Sequence, residues 1–229
     1  MNDVPLLFAE SVARLLDYDS RSSLTLLRSS LFGNVGRSLD EKQFDITLNV
    51  VYNQEAVTFD YCLTCMRYDL FWSENPYTYD PADHRLVYLF KVILLEDKSF
   101  LNNVDVTWTT ATPSDPAFLK LLRAPFPRTK LRLQQNCPEL LELLPDYCTF
   151  NCISTYGAIN HNEVFDAIIQ RSQACGRLEN VDWKQFFQKR GFEASINWIS
   201  TNKRLRMISG ICITNPESVR SALNRLGVQ

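Results

Sequence analysis

Histidine and glycine are scarce. Only His84 and His161 occur among 229 residues, so the side chain most used as general base and metal ligand is almost missing. Seven glycines leave little for a phosphate cradle, and neither G-x-x-x-x-G-K-[ST], G-x-G-x-x-G nor G-x-S-x-G is present. Nucleotide-binding loops and a serine nucleophile elbow are thereby excluded. Long apolar runs are lacking too: Leu86 to Leu95 is interrupted by Lys91 and falls well short of the roughly 20 residues that span a bilayer. The opening stretch, MNDVPLLFAESVARLL, carries Asp3, Glu10 and Arg14 and has no basic n-region, unlike a signal peptide. Neither sign of charge is in excess. With 24 basic and 26 acidic side chains the formal net charge is −2, and no global field steers the chain to nucleic acid or an anionic membrane.

What is present is a globular composition, 45% hydrophobic and 22% charged, on a length that suits one large domain or two small ones. The seven cysteines, Cys62, Cys65, Cys137, Cys148, Cys152, Cys175 and Cys212, are odd in number and sit mostly in apolar runs. That usage, with no Asn-x-Ser/Thr acceptor, fits free thiols in a cytoplasmic or nuclear protein. Cys62-x-x-Cys65 and Cys148-x-x-x-Cys152 invite a zinc reading, but Cys62 lies in an alternating stretch, and a strand turns residues three apart to opposite faces. Burial is the preferred reading. Cys62, Cys148, Cys152, Cys175 and Cys212 are expected to be inaccessible, with no metal, disulfide or cofactor.

The pattern of hydrophobicity changes twice along the chain. Up to about residue 40 it is helical: Phe8, Val12, Leu15 and Leu16 form one stripe, and Leu24, Leu27, Leu31 and Val35 a second that Gly33 or Gly36 should end. From Phe44 the period becomes 2. Ile46, Leu48, Val50 and Tyr52 alternate with polar residues, as do Val57, Phe59, Tyr61 and Leu63 after Asn53-Gln54-Glu55, which predicts a β-hairpin. Leu86 to Leu95 and Val104 to Thr110 extend this to a four-stranded antiparallel meander. Beyond Thr112 short helices and strands alternate. Helices are expected after Asp115-Pro116, at Pro138, from Asn162 to Cys175, over 183–190, and from the Asn215 cap to Gly227. Strands are expected at Leu131 to Leu133, Thr149 to Ile153, Leu178 to Val181, Ser195 to Ile199 and Arg206 to Ile213. Their spacings overlap the 20 to 29 residues of leucine-rich repeats, although no asparagine ladder recurs. A stacked repeat and a mixed α/β sheet stand as equal alternatives.

The fold class expected is therefore α+β: a helical module over residues 1–42, an antiparallel meander, and a C-terminal α/β region, leucine-rich-repeat-like in one reading. Residues 43–229 would form the recognition region, with a sub-boundary near 112.

Few residues point to chemistry. A Cys-His nucleophilic pair would need His84 or His161, which sit in a loop and at a helix start. Basic residues gather at Arg123, Arg128, Lys130 and Arg132, again at Lys184, Lys189 and Arg190, and at Lys203, Arg204 and Arg206. Lys130 and Arg132 alternate with Leu131 and Leu133, the pattern of a solvated strand above a core. Nucleic-acid binding, with Trp198 or Phe192 stacking on bases, is the less favoured reading. The stretch from Trp72 to Asp83 is unusual: Trp72, Pro76, Tyr77, Tyr79 and Pro81 lie on a segment too polar and proline-broken for a core strand. Trp72, Tyr77 and Tyr79 are candidate partner contacts, because Trp and Tyr anchor protein interfaces; the competing reading folds the loop back over the sheet.

The opening Val4-Pro5-Leu6-Leu7-Phe8, then Val12, Leu15-Leu16, a polar break at Asp17 to Ser23, and Leu24, Leu27, Ser29-Ser30 and Phe32 resemble an F-box, particularly the divergent F-box-like starts of families expanded in nematodes. The match covers about residues 4 to 40, and the tryptophan and Cys-Arg pair usual near the end of the motif are absent. The resemblance implies that this region binds the Skp-type adaptor of a cullin-RING ubiquitin ligase, through Val4, Pro5, Leu7, Val12, Leu15 and Leu16, while the C-terminal region selects a substrate protein. Protein recognition is thus the expected function, with no membrane, nucleic-acid or small-molecule partner. An enzyme with a Cys or carboxylate site and a purely structural interaction protein are the alternatives.

Overall fold

A computed structural model describes residues 5–15, 23–24, 26–27, 30–42, 44–67, 87–102, 106–123, 128–156, 163–182 and 184–229. The chain opens with helices α1 (Leu6–Leu15) and α2 (Leu31–Lys42), followed by strands β1 (Phe44–Asn53), β2 (Thr58–Arg67) and β3 (Val87–Leu95). Then come β4 (Thr109–Ala111), α3 (Pro116–Arg123), β5 (Arg128–Leu133), α4 (Pro138–Leu143), β6 (Cys152–Thr155), α5 (Glu163–Ala174) and β7 (Asn180–Asp182). Helices α6 (Lys184–Arg190) and α7 (Phe192–Thr201), the strand pair β8 (Met207–Ile208) and β9 (Ile211–Cys212), and α8 (Pro216–Arg225) complete it.

One nine-stranded sheet runs through the molecule in the order β4-β2-β1-β3-β5-β6-β7-β8-β9. The β1–β2 hairpin forms as its alternation predicts, with Leu48 opposite Leu63 and Tyr52 opposite Phe59. The rest is not a meander. β4 takes the outer edge of β2, and β3 lies on the far side of β1, parallel to it. From β1 through β3, β5, β6, β7 and β8 every pairing is parallel and follows chain order. Parallel neighbours need a crossover, and successive crossovers of one hand stepping in the same direction place α3 to α8 on one face.

Burial bears out that one-sidedness. A single core collects Ile46, Leu48 and Val50 from β1, Phe90, Val92 and Leu94 from β3, Leu131 and Leu133 from β5, Ile153, Val181 and Ile208 from β6 to β8, and the buried residues of α3 to α8. The residues between them in sequence, Lys91, Ile93, Lys130, Arg132, Cys152, Ser154, Asn180 and Asp182, are absent from it. One face of the sheet is packed, and the other carries a mostly polar row. β5, β6, β7 and β8 begin at residues 128, 152, 180 and 207, intervals of 24, 28 and 27 residues that suit stacked strand-helix units.

Local signals hold the helices in place. Asp115 Oδ1 accepts from the backbone N–H groups of Ala117 (2.8 Å) and Phe118 (3.2 Å), capping α3. Asn215 and Ser218 form a reciprocal capping box at α8, and the positive φ of Gly227 (+67°) follows its end. Ser195 to Ile199, expected as a strand, lies inside α7. Over five residues an apolar pair fits either period, and here Ser195, Trp198 and Ile199 are buried at helical spacing. Arg206 to Ile213 is two short strands joined at Ser209-Gly210, both with positive φ.

At the N-terminus, residues 23–24 are helical, where a helix is expected, but the second stripe is not one helix: α2 begins anew at Leu31 and runs through Gly33 and Gly36. Ser30 sets the start: its hydroxyl accepts from Gly33 N–H (3.0 Å) and donates to Leu27 O (3.0 Å). Glycine at 33 lets the chain fold back there, because a Cβ would meet Leu27 O at 1.9 Å. Among the described residues, no helix is long and apolar enough to cross a membrane.

Candidate functional site

Two surfaces depart from what a self-contained globular chain would show. The first is α1. Its buried residues are Ala9 and Ala13, both 0% exposed, which pack with Val35 of α2 in a small cluster of their own. Its bulky residues point the other way: Leu6 is 53%, Leu7 76% and Phe8 57% exposed. A helix that buries alanine and exposes leucine and phenylalanine inverts the usual division. With Leu26 and Leu27, five of the nine large exposed hydrophobics of the described residues lie within the first 27 positions.

The structure places the expected adaptor residues unevenly. Pro5 and Leu7 are exposed and Val12 is half-buried. Leu15 closes α1, and Val4 and Leu16 lie outside the described residues. The stripe expected to face inward starts one residue early. Phe8 is exposed and the adjoining Ala9 takes the inner position, so Leu6 and Phe8 join the surface that sequence reasoning had limited to Leu7 and its partners.

The second surface is the face of the sheet opposite α3 to α8. In register across it run Asn49, Ile93, Arg132, Ser154 and Asp182 in one row, and Thr47, Lys91, Lys130, Cys152 and Asn180 in the next. Over β1 and β2 this face is internally satisfied: Asn49, 3% exposed, donates from Nδ2 to Thr64 Oγ1 at 3.0 Å. Over β5 to β7 it is not. Arg132 Nε, Gln134 Oε1, Ser154 Oγ and Asn180 Oδ1 are buried without a hydrogen-bond partner, four of the six such atoms among the described residues. Gln134 is 9% and Ser154 4% exposed. Each orphaned group costs about 1–3 kcal/mol; elsewhere buried Ser172 donates to Ile168 O (2.7 Å) and Ser195 to Gly191 O (2.6 Å), while Arg171 Nε and Asn202 Nδ2 are the other two orphaned atoms. The Arg132 guanidinium stacks on the exposed Tyr156 ring at 4.2 Å, and Asp182 Oδ1 accepts from Ser209 Oγ at 3.2 Å. No sequence signal assembled these residues; only the register of three parallel strands does.

Burial keeps several thiols in their protonated form. Burial raises the Cys152 thiol, with Lys130 pulling it down and Asp182 pushing it up; Cys62 is pushed up to about 11 and Cys137 to about 12, in both cases chiefly by burial. Such thiols stay protonated near neutrality and make poor nucleophiles. Cys62, Cys137 and Cys148 are buried, but Cys152 is only partly so, and Cys175 and Cys212 are exposed, against expectation. Cys175 follows the end of α5, and Cys212 lies on the outermost strand next to Ile211, which packs against the core, so the alternation of the strand turns Cys212 outward. Cys62 and Cys65 sit opposite Asn49 and Ile46 along an uninterrupted ladder, without the tight turn a metal knuckle needs.

Trp198 is 8% exposed, edge-on to Phe186 (5.2 Å) and Phe187 (5.9 Å), so it belongs to the core and is not free to stack on bases. Asp166, Gln170, Phe186, Lys189, Arg190 and Trp198 border a shallow cleft of about 270 Å³ on the helical side. A second, of about 330 Å³, lies between the end of α7 and the start of α8. Trp72, Tyr77, Tyr79, His84 and His161 lie outside the described residues. No family model, curated protein or solved structure matches the chain.

Proposed function

We propose that the chain is a protein-recognition subunit of the F-box-like kind, in which α1 and the segment before α2 dock a Skp-type adaptor and the sheet face opposite α3 to α8 receives a substrate protein. The observation that carries this reading is the inverted burial of α1, with Leu6, Leu7 and Phe8 outward and Ala9 and Ala13 inward. An isolated helical hairpin gains nothing from that arrangement; a hairpin that completes its core against a partner does. Raised thiol pKa values and orphaned polar atoms on the sheet support recognition over catalysis in the same chain. Such a subunit works in the cytoplasm or nucleus, beside the cullin-RING ligase it would serve.

The test is reconstitution with a purified Skp-type adaptor, followed by size-exclusion chromatography. A stoichiometric complex is expected from the native chain, and its loss from the Leu7→Asp, Phe8→Asp double variant with an unchanged circular dichroism spectrum. A native chain that elutes alone, or a double variant that still forms the complex, would contradict the reading.

A further inference from the structure

We infer that the β5–β7 part of the face opposite α3 to α8 binds an extended acidic segment of a partner polypeptide, with a carboxylate seated between Arg132 and Ser154 and its backbone amides facing Gln134 and Asn180. This rests on the reading that the sheet face receives the substrate, and it names the chemistry received.

The argument starts from which atoms lack partners. Arg132 Nε is a donor, Ser154 Oγ is donor and acceptor, and Gln134 Oε1 and Asn180 Oδ1 are acceptors. Arg132 and Ser154 are register partners on β5 and β6, roughly 4.8 Å apart across the ladder, so one carboxylate reaches both. Tyr156, stacked on the guanidinium, holds the fork's plane, and Nε with a neighbouring Nη offers the two parallel donors a carboxylate prefers. Lys130, on the same face two residues before Arg132, adds positive charge. The two orphaned carbonyl oxygens require N–H donors beside that carboxylate. A polypeptide supplies both kinds of group at once; a phosphodiester backbone supplies the anion alone. Asp182 shares the Arg132–Ser154 row on β7 and repels an acid there, which fixes the carboxylate over β5. Gln134 Oε1 and Ser154 Oγ lack partners on side chains that are nine-tenths or more buried, as Asn202 Nδ2 does past the end of α7; on this face the two lie in one patch with Arg132 Nε and Asn180 Oδ1.

Fluorescence anisotropy on the full chain tests this with three labelled ten-residue peptides, alternating alanine with glutamate, glutamine or lysine, and with a ten-nucleotide oligo-dT. The glutamate peptide is expected to bind roughly ten- to a hundredfold more tightly than the glutamine peptide, the span of one lost charge-assisted contact. Arg132→Gln and the charge-conserving Arg132→Lys should both weaken it to the level of the glutamine peptide. Arg190→Gln, on the helical side, should leave it within twofold. Equal binding of glutamate and glutamine peptides, absence of glutamate-peptide binding, unchanged binding by Arg132→Gln, or tighter binding of oligo-dT would each overturn the assignment. The comparison of peptides on the native chain stands even if a variant fails to fold. Adaptor binding is read separately through Leu7, so loss of one leaves the other intact.

Discussion

Truncating the same side chain at two positions separates core from docking surface. Phe118 in α3 is 0% exposed, with its ring 5.3 Å from Phe59 and 4.9 Å from Tyr61. Phe118→Ala removes the ring from a closed three-ring cluster, and such truncations cost about 3–5 kcal/mol; the ring geometry, worth about 0.5–1.5 kcal/mol by itself, places it in the upper half of that range. Phe8 is 57% exposed. Fully burying a phenylalanine contributes about 1.5–3 kcal/mol, so Phe8→Ala should cost no more than about 1 kcal/mol. For a chain of this size 1 kcal/mol moves the melting point by about 2–4 °C, so Phe118→Ala should lower it by roughly 8 to 20 °C and Phe8→Ala by only a few degrees. Urea denaturation followed by tryptophan fluorescence reads the main core, since Trp198 packs beside Phe186 and Phe187, while far-ultraviolet circular dichroism reads the helices. If Phe8→Ala were as destabilising as Phe118→Ala, Phe8 would be a core residue and the exposed surface of α1 would not exist.

The thiols offer a count: Cys175 and Cys212 should react rapidly with a thiol reagent at pH 8 in the native chain while Cys62, Cys137 and Cys148 stay protected, and fast labelling of those three would show the core to be open. Burial alone would raise the Asp60 carboxyl, but bonds from Thr110 and from Lys98 Nζ (3.0 Å) hold it below its ordinary value. A depressed carboxylate stabilises the fold above its unfolded pKa of about 4, and that contribution is lost as pH falls through the folded value. Asp60→Asn should therefore be less stable than the native chain at pH 6, with the gap closing toward pH 2; a gap constant across that range would refute the pairing.

Much of the architecture is legible in local pattern. The alternation Ile46, Leu48, Val50 and Tyr52 identifies a strand and its buried face, Asp115-Pro116 and Asn215-Pro216 start helices, and Lys130-Leu131-Arg132-Leu133 separates solvent from core. What local pattern lacks is the choice of edge. A hairpin fixes the direction of β1 and β2, but either free edge accepts the next strand, and β3 joins β1 where a meander would have put it on β2. β2 ends and β3 starts beside Phe44, so the 19 residues between them need only pass the end of β1. Ser195 to Ile199 fails differently: five residues are too few to tell a period of 2 from one of 3.6.

The candidate sites divide along the same line. Leu7 and Pro5 are legible because a motif is contiguous, whereas the inward turn of Ala9 and Ala13 depends on how α2 approaches α1. Arg132 and Lys130 are visible as a charged strand face. Ser154, Gln134 and Asn180 carry no signal, since an ordinary polar residue becomes notable only when its burial and missing partners are known.

The central claim is that two surfaces of one chain act independently, an apolar one on α1 for the adaptor and a polar one on β5 to β7 for the substrate. The most direct measurement gives each of two variants, Leu7→Asp and Arg132→Gln, both assays: complex formation with the Skp-type adaptor and anisotropy with the glutamate peptide. The account predicts that Leu7→Asp loses the adaptor and keeps the peptide, and that Arg132→Gln does the reverse. Loss of both activities in either variant, or of neither, would contradict it.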